Sequence, residues 1–145
     1  MARDVNLTLI SGATAMAGTG AKGSVVDCEG GFFAVIRMFL GTCTGTTVVV
    51  SVAVQASIDG GSNYFHIGQF PILDQADDDI EIARVVWVPK PTLASSIVTK
   101  VRLNTVVSSG TTPVVPCNAA YLEPIVSLGC PGADYELGNG VEELV

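Results

Sequence analysis

Hydrophobic and polar positions alternate with a period of two along much of this chain, most clearly from Thr46 to Phe70. Val48, Val50, Val52, Val54 and Ala56 share one face, and Val49, Ser51, Ala53, Gln55 and Ser57 share the other. That period, in a run dense in Val and Thr, predicts a β-strand. Asp59-Gly60-Gly61 then supplies residues that tolerate positive φ, as a short hairpin requires. Asn63 to Ile67 returns as a second strand carrying the adjacent aromatics Tyr64 and Phe65. This hairpin is expected at the centre of an antiparallel sandwich.

The same pattern places the other elements. Val5 to Ile10 alternates as a first strand or an N-terminal arm, and Ser11 to Gly23 is a Gly/Ala/Thr stretch read as a long loop. Ser24 to Cys28 is a short strand ending at Glu29-Gly30-Gly31. Phe32 to Leu40 is apolar on both faces apart from Arg37, which predicts a central strand. Ile80 to Val88 is another strand, stopped by Pro89-Lys90-Pro91. Ile97 to Val107 directs Ile97, Val101, Leu103 and Val107 inward, and Lys100, Arg102 and Asn104 outward. Ser108 to Pro116 reads as a turn-rich connection, and Ala119 to Leu128 as a last strand that Pro124 assigns to an edge. Seven or eight short strands with no helix predict a single-domain, all-β antiparallel sandwich, with jelly-roll connections as one way of joining them. The expected organisation is an N-terminal strand or arm and Gly-rich loop over 1–23, a β-sandwich domain over 24–128, and an acidic tail over 129–145.

Composition shifts this picture toward assembly. Of the 145 residues 48% are hydrophobic but only 14% are charged, where about 25% is usual. A Thr-, Ser- and Gly-rich exterior is better tolerated where neighbouring subunits cover it. The net charge of −7 and the scattered basic residues argue against nucleic acid and against an anionic membrane surface. Met38 to Ile58 is uncharged and long enough to span a bilayer, but its alternation and its Thr and Gly fit strands instead. The N-terminal apolar core is too short for a secretory signal. Cys28, Cys43, Cys117 and Cys130 lack any CxxC or CxxH spacing, which argues against a zinc or redox motif; two disulfides are arithmetically possible, and free thiols are the plainer expectation.

Each candidate for chemistry has a plainer reading beside it. Gly18 to Gly23 spells GxGxxG, but the pyrophosphate motif needs a following helix, and Ser24-Val25-Val26-Asp27 is strand-like; a flexible Gly-rich loop fits better. Asp74, Asp77, Asp78 and Asp79, with Glu81, offer oxygen ligands for calcium, without EF-hand spacing; the alternatives are a solvated loop or a contact with a basic neighbour. His66 has no nucleophile or carboxylate at a suggestive spacing. Tyr64 and Trp87 would make a sugar-binding platform if they met; in strands they are more often core. No catalytic, cofactor-binding or metal-ligating residue is assigned, and a non-enzymatic role is expected.

Gln55 to Phe65 (QASIDGGSNYF) resembles a phrase of small structural proteins from tailed bacteriophages, in which a Q-x-S-x-D-G-G strand end turns into an aromatic strand. Arg84 to Val88 and Lys100 to Leu103 resemble later strands of the same proteins, and the similarity extends over about Phe32 to Glu123. The family is the capsid decoration, or cement, proteins. The resemblance implies a β-sandwich on the outer capsid surface of the virion, assembled in the host cytoplasm. It also implies a homo-oligomer, with a trimer favoured, that binds the major capsid protein and stabilises the contacts between capsomers. Alternatives are a phage tail or neck subunit and a carbohydrate- or surface-binding module built on Tyr64 and Trp87. On the leading reading, Ala2 to Gly23 and Cys130 to Val145 are arms that reach neighbours, and Ser24 to Leu128 alone is expected to fold.

Overall fold

The computed structural model describes residues 7–74, 76–91 and 97–125. Nine strands follow in order: β1 (Thr8–Ala15), β2 (Gly20–Cys28), β3 (Phe32–Leu40), β4 (Thr44–Ser57), β5 (Phe65–Gln69), β6 (Leu73–Asp74), β7 (Glu81–Val88), β8 (Thr99–Val114) and β9 (Pro116–Pro124). There is no α-helix among the described residues. One antiparallel sheet has the order β1-β9-β3-β7; the other runs β2-β8-β4-β5, with β6 pairing β4 beyond the end of β5. Counting β5 and β6 as one interrupted edge, this is an eight-stranded jelly roll. The chain passes from one sheet to the other at almost every connection, so its first and last described strands end up paired.

The core lies between the sheets. Ala34, Ile36, Met38 and Leu40 of β3 face Val50, Val52 and Val54 of β4, all buried, as alternation requires of two packed inner faces. Phe32 to Leu40 is a strand with the expected bounds and lies between β9 and β7. The organising hairpin is also present, but Ile58 to Tyr64 form a longer connection than a tight turn. Gly60 and Gly61 take the positive φ values foreseen for them, 81° and 95°. Met38 to Ile58 lies in β3, β4 and their flanks, and no helix among the described residues is long and apolar enough to cross a membrane.

Three expectations need correction. Ser11 to Gly23 is not a long loop: β1 extends to Ala15 and pairs with β9, and β2 begins at Gly20, before the supposed domain boundary. Leu9, Ile10 and Met16 are buried in the core, so most of this stretch is sandwich and not a free arm. β1 and β2 cross closely at Gly23, where a Cβ would stand 2.3 Å from the Leu9 carbonyl oxygen. Likewise, Ser108 to Val114 continues β8, because β4 is long enough to offer it a ladder from Val50↔Ser108 to Thr44↔Val114. Register shifts in that ladder accommodate Gly110 and Pro113. Finally, Pro124 closes β9 but does not mark an edge; β9 sits between β1 and β3, and Pro124 is its last residue. The side chains of Val48 and Val107, the proposed acidic tail, Cys130 and the end of the predicted last strand fall outside the described residues.

Candidate interaction surface

The two outer faces of the sandwich differ in kind. On the β2-β8-β4-β5 sheet, the outward positions of β4 from Ser51 on are Ser51, Ala53, Gln55 and Ser57, and all four are buried. Neighbouring side chains close over them: Arg102 Nε donates to Gln55 Oε1 at 2.9 Å, and Gln69 Nε2 donates to Ser51 Oγ at 2.7 Å. The Arg102 guanidinium also lies 3.7 Å from the centroid of the Tyr64 ring, a cation–π contact. Lys100 Nζ reaches Asp27 Oδ1 at 2.9 Å. Among the described side chains this face is mostly polar and cross-linked by these contacts, with Val25 of β2 an exposed apolar exception.

The β1-β9-β3-β7 sheet presents the opposite. Because the even-numbered residues of β3 and β7 point into the core, Phe33, Val35, Val85 and Trp87 point out. The register sets Phe33 opposite Trp87 and Val35 opposite Val85. The two rings meet edge-to-face, centroids 4.9 Å apart and planes 67° apart, a favoured aromatic geometry. Phe33 is 40% exposed, Trp87 48% and Val85 55%, so three large apolar side chains lie together in solvent. Further along the same face Arg37 bridges Glu81 of β7 and Glu123 of β9. The hydrogen bond to Glu81, then that to Glu123, holds its pKa above the ordinary arginine value. An aromatic–aliphatic patch bounded by an ion-paired polar strip has the composition of a protein-binding surface.

The sequence candidates are placed elsewhere. Trp87 and Tyr64 stand on opposite outer faces of the sandwich and form no common platform. The Gly18–Gly23 run leads into β2, so no helix N-terminus meets a phosphate there. The acidic run ties two loops together: Asp74 accepts from the Ala76 amide, Asp77 from the Asp74 amide, Asp78 from the Cys43 amide and Asp79 from the Thr42 hydroxyl. Among the described residues no three His, Cys, Asp or Glu side chains gather as a metal-ligand set. His66 is exposed on β5, opposite Gln55. Cys28, Cys43 and Cys117 are free thiols. Burial raises the pKa of all three, that of Cys117 to about 11, which suppresses thiolate chemistry.

Phe33 and Val85 were not singled out by sequence. The alternation of β3 and β7 contains the signal, but only the observed register puts Phe33 beside Trp87. No protein-family model matches the chain, and a search of curated proteins finds no significant relative.

Proposed function

We propose that the chain is a non-enzymatic structural virion protein that binds the outer surface of a bacteriophage capsid and stabilises the contacts between capsomers. It works as a homo-oligomer, its partner is the major capsid protein, and it needs no cofactor. The observation that carries this reading is the Phe33–Val85–Trp87 patch, three large apolar side chains exposed together on one face of the sandwich. Jelly rolls serve in viral capsid and lectin domains alike, so the fold assigns no function by itself. The low charge content and the resemblance of Gln55 to Phe65 to decoration proteins support the capsid reading. Mechanistically, the patch would be desolvated against the capsid, each Å² contributing about 25 cal/mol. Repetition over the lattice would turn modest single contacts into firm attachment.

Co-sedimentation with expanded shells of the phage's own major capsid protein tests this. The expected result is saturable binding at a stoichiometry tied to the lattice, weakened at least about 30-fold when both aromatic anchors are lost in Phe33→Ser/Trp87→Ser. Absence of binding by the full chain, or binding indifferent to the double variant, would overturn the assignment. Self-assembly into sixfold rings without shell binding would move the protein to the tail or neck.

A further inference from the structure

Edge strands invite pairing with other chains, and folded proteins usually blunt them with bulges, Pro or Lys. Within the described residues, three edges of this sandwich are interrupted. The ladder of β1 with β9 shifts register twice, that of β2 with β8 shifts between Lys22 and Val26, and that of β5 with β4 shifts between Val54 and Gln55. β7 differs. It pairs with β3 in unbroken register from Phe32↔Val88 to Phe39↔Glu81, and the Leu40 amide extends it by donating to the Ile80 carbonyl at 2.8 Å. Its sequence, EIARVVWV, contains no Pro, Gly or Lys. Arg84 does not guard the edge, since its Nε is tied to the Gln69 carbonyl at 2.8 Å.

Antiparallel hydrogen bonding alternates. With Leu40 and Ile80 a bonded pair, Ile82, Arg84, Val86 and Val88 direct their amides and carbonyls to β3. Ala83, Val85 and Trp87 therefore direct theirs to the other edge, with which no described strand pairs.

We propose that this edge pairs with β7 of a second copy, antiparallel about a twofold axis through Val85. Three points select a second copy and this register. The chain carries −7 overall, but β7 has one acid and one base, so two copies meet here with little repulsion. Centring on Val85 places the small Ala83 opposite Trp87 of the second copy and Arg84 opposite its Val86. Centring on Arg84 would set the two guanidinium-bearing residues directly opposite, which is destabilising. Centring on Val86 would move Pro89, which has no N–H, from opposite Glu81 at the strand's end to opposite Ala83 further inside it. The two four-stranded sheets become one of eight strands, and the two Phe33–Val85–Trp87 patches join on one face. Such a dimer differs from the trimer that the decoration-protein resemblance implies. The inference does not depend on the capsid reading.

Sedimentation equilibrium of the full chain, followed also by emission of its single tryptophan, tests the pairing without any capsid. The expected result is a species of twice the monomer mass, with Trp87 emission moving to the blue as the dimer forms. Val85→Pro removes an N–H that points to that edge and spares the β3 ladder; Ala83→Lys places a charge against Trp87 of the second copy. Either should raise the dimer dissociation constant at least about 10-fold with unchanged far-UV circular dichroism, whereas Val25→Lys, on the exposed surface of β2, should not. A monomer at every accessible concentration, a trimer, or a dimer indifferent to Ala83→Lys would overturn the proposal, and Ala83→Lys decides it if the proline variant does not fold.

Discussion

Asp59, half-buried, closes the connection between β4 and β5. Its carboxylate accepts from the Asn63 amide, the Ser57 hydroxyl, the Asn63 side-chain amide and the Ser62 amide. Those bonds, the Asn63 amide first, lower its pKa from 3.8 to about 2. Because the folded value lies below the unfolded one, the stability it contributes is fully present above about pH 4 and lost as pH falls toward 2. Asp59→Asn should therefore lower the Tm near neutrality, and the gap from wild type should close between pH 4 and 2. Thermal melts across that range check it; a gap independent of pH would rule out the carboxylate as the source. The Asp-Gly-Gly signature made a turn legible in the sequence, but not its length. Ser57 Oγ is buried and accepts from the Gly61 amide at 2.9 Å, so the loop is built on a side chain that strand alternation treats as merely outward.

At the scale of elements, alternation located β3, β4, β5 and β7 and erred where small residues were taken for loop. β1 and the end of β8 are held by backbone ladders, for which low hydrophobicity is no contrary sign. Gly68 carries the same lesson on the other side of the sandwich. A Cβ there would stand 2.5 Å from Val86 Cγ1, so β5 and β7 close on each other across a gap that only glycine leaves open. Gly68→Ala should destabilise by about 1–3 kcal/mol, the usual range for overpacking. Trimming the opposing side chain should recover part of it: in the Val86→Ala background the same substitution should have a smaller effect, or none. Urea denaturation of the four proteins measures this coupling, and equal effects in both backgrounds would mean that the strain lies elsewhere. The candidate interaction face was half legible: Trp87 stood out as the lone tryptophan, whereas pairing it with Phe33 required the register of two strands far apart in sequence.

For the molecule as a whole, the jelly-roll path decides what can be removed. The sequence invites a cut before Ser24, with the preceding residues regarded as an arm. In the folded chain that cut deletes β1 and the start of β2, and with them Leu9, Ile10 and Met16, which are at most 1% exposed. Full burial of such side chains contributes about 1.5–3 kcal/mol each, so their loss is comparable with the roughly 5–15 kcal/mol that holds a whole domain folded. The cut would also bare the edge of β9 that β1 covers. A chain of residues 24–128 should accordingly lack a cooperative thermal transition and well-dispersed amide resonances. A cooperative melt from that fragment would show that β1 is dispensable and would restore the N-terminal stretch as an arm able to leave its own sheet. If the fragment is unfolded, any loss of partner binding by N-terminal truncations cannot be credited to a lost contact, and the proposed surface must be tested by substitutions at Phe33 and Trp87 instead.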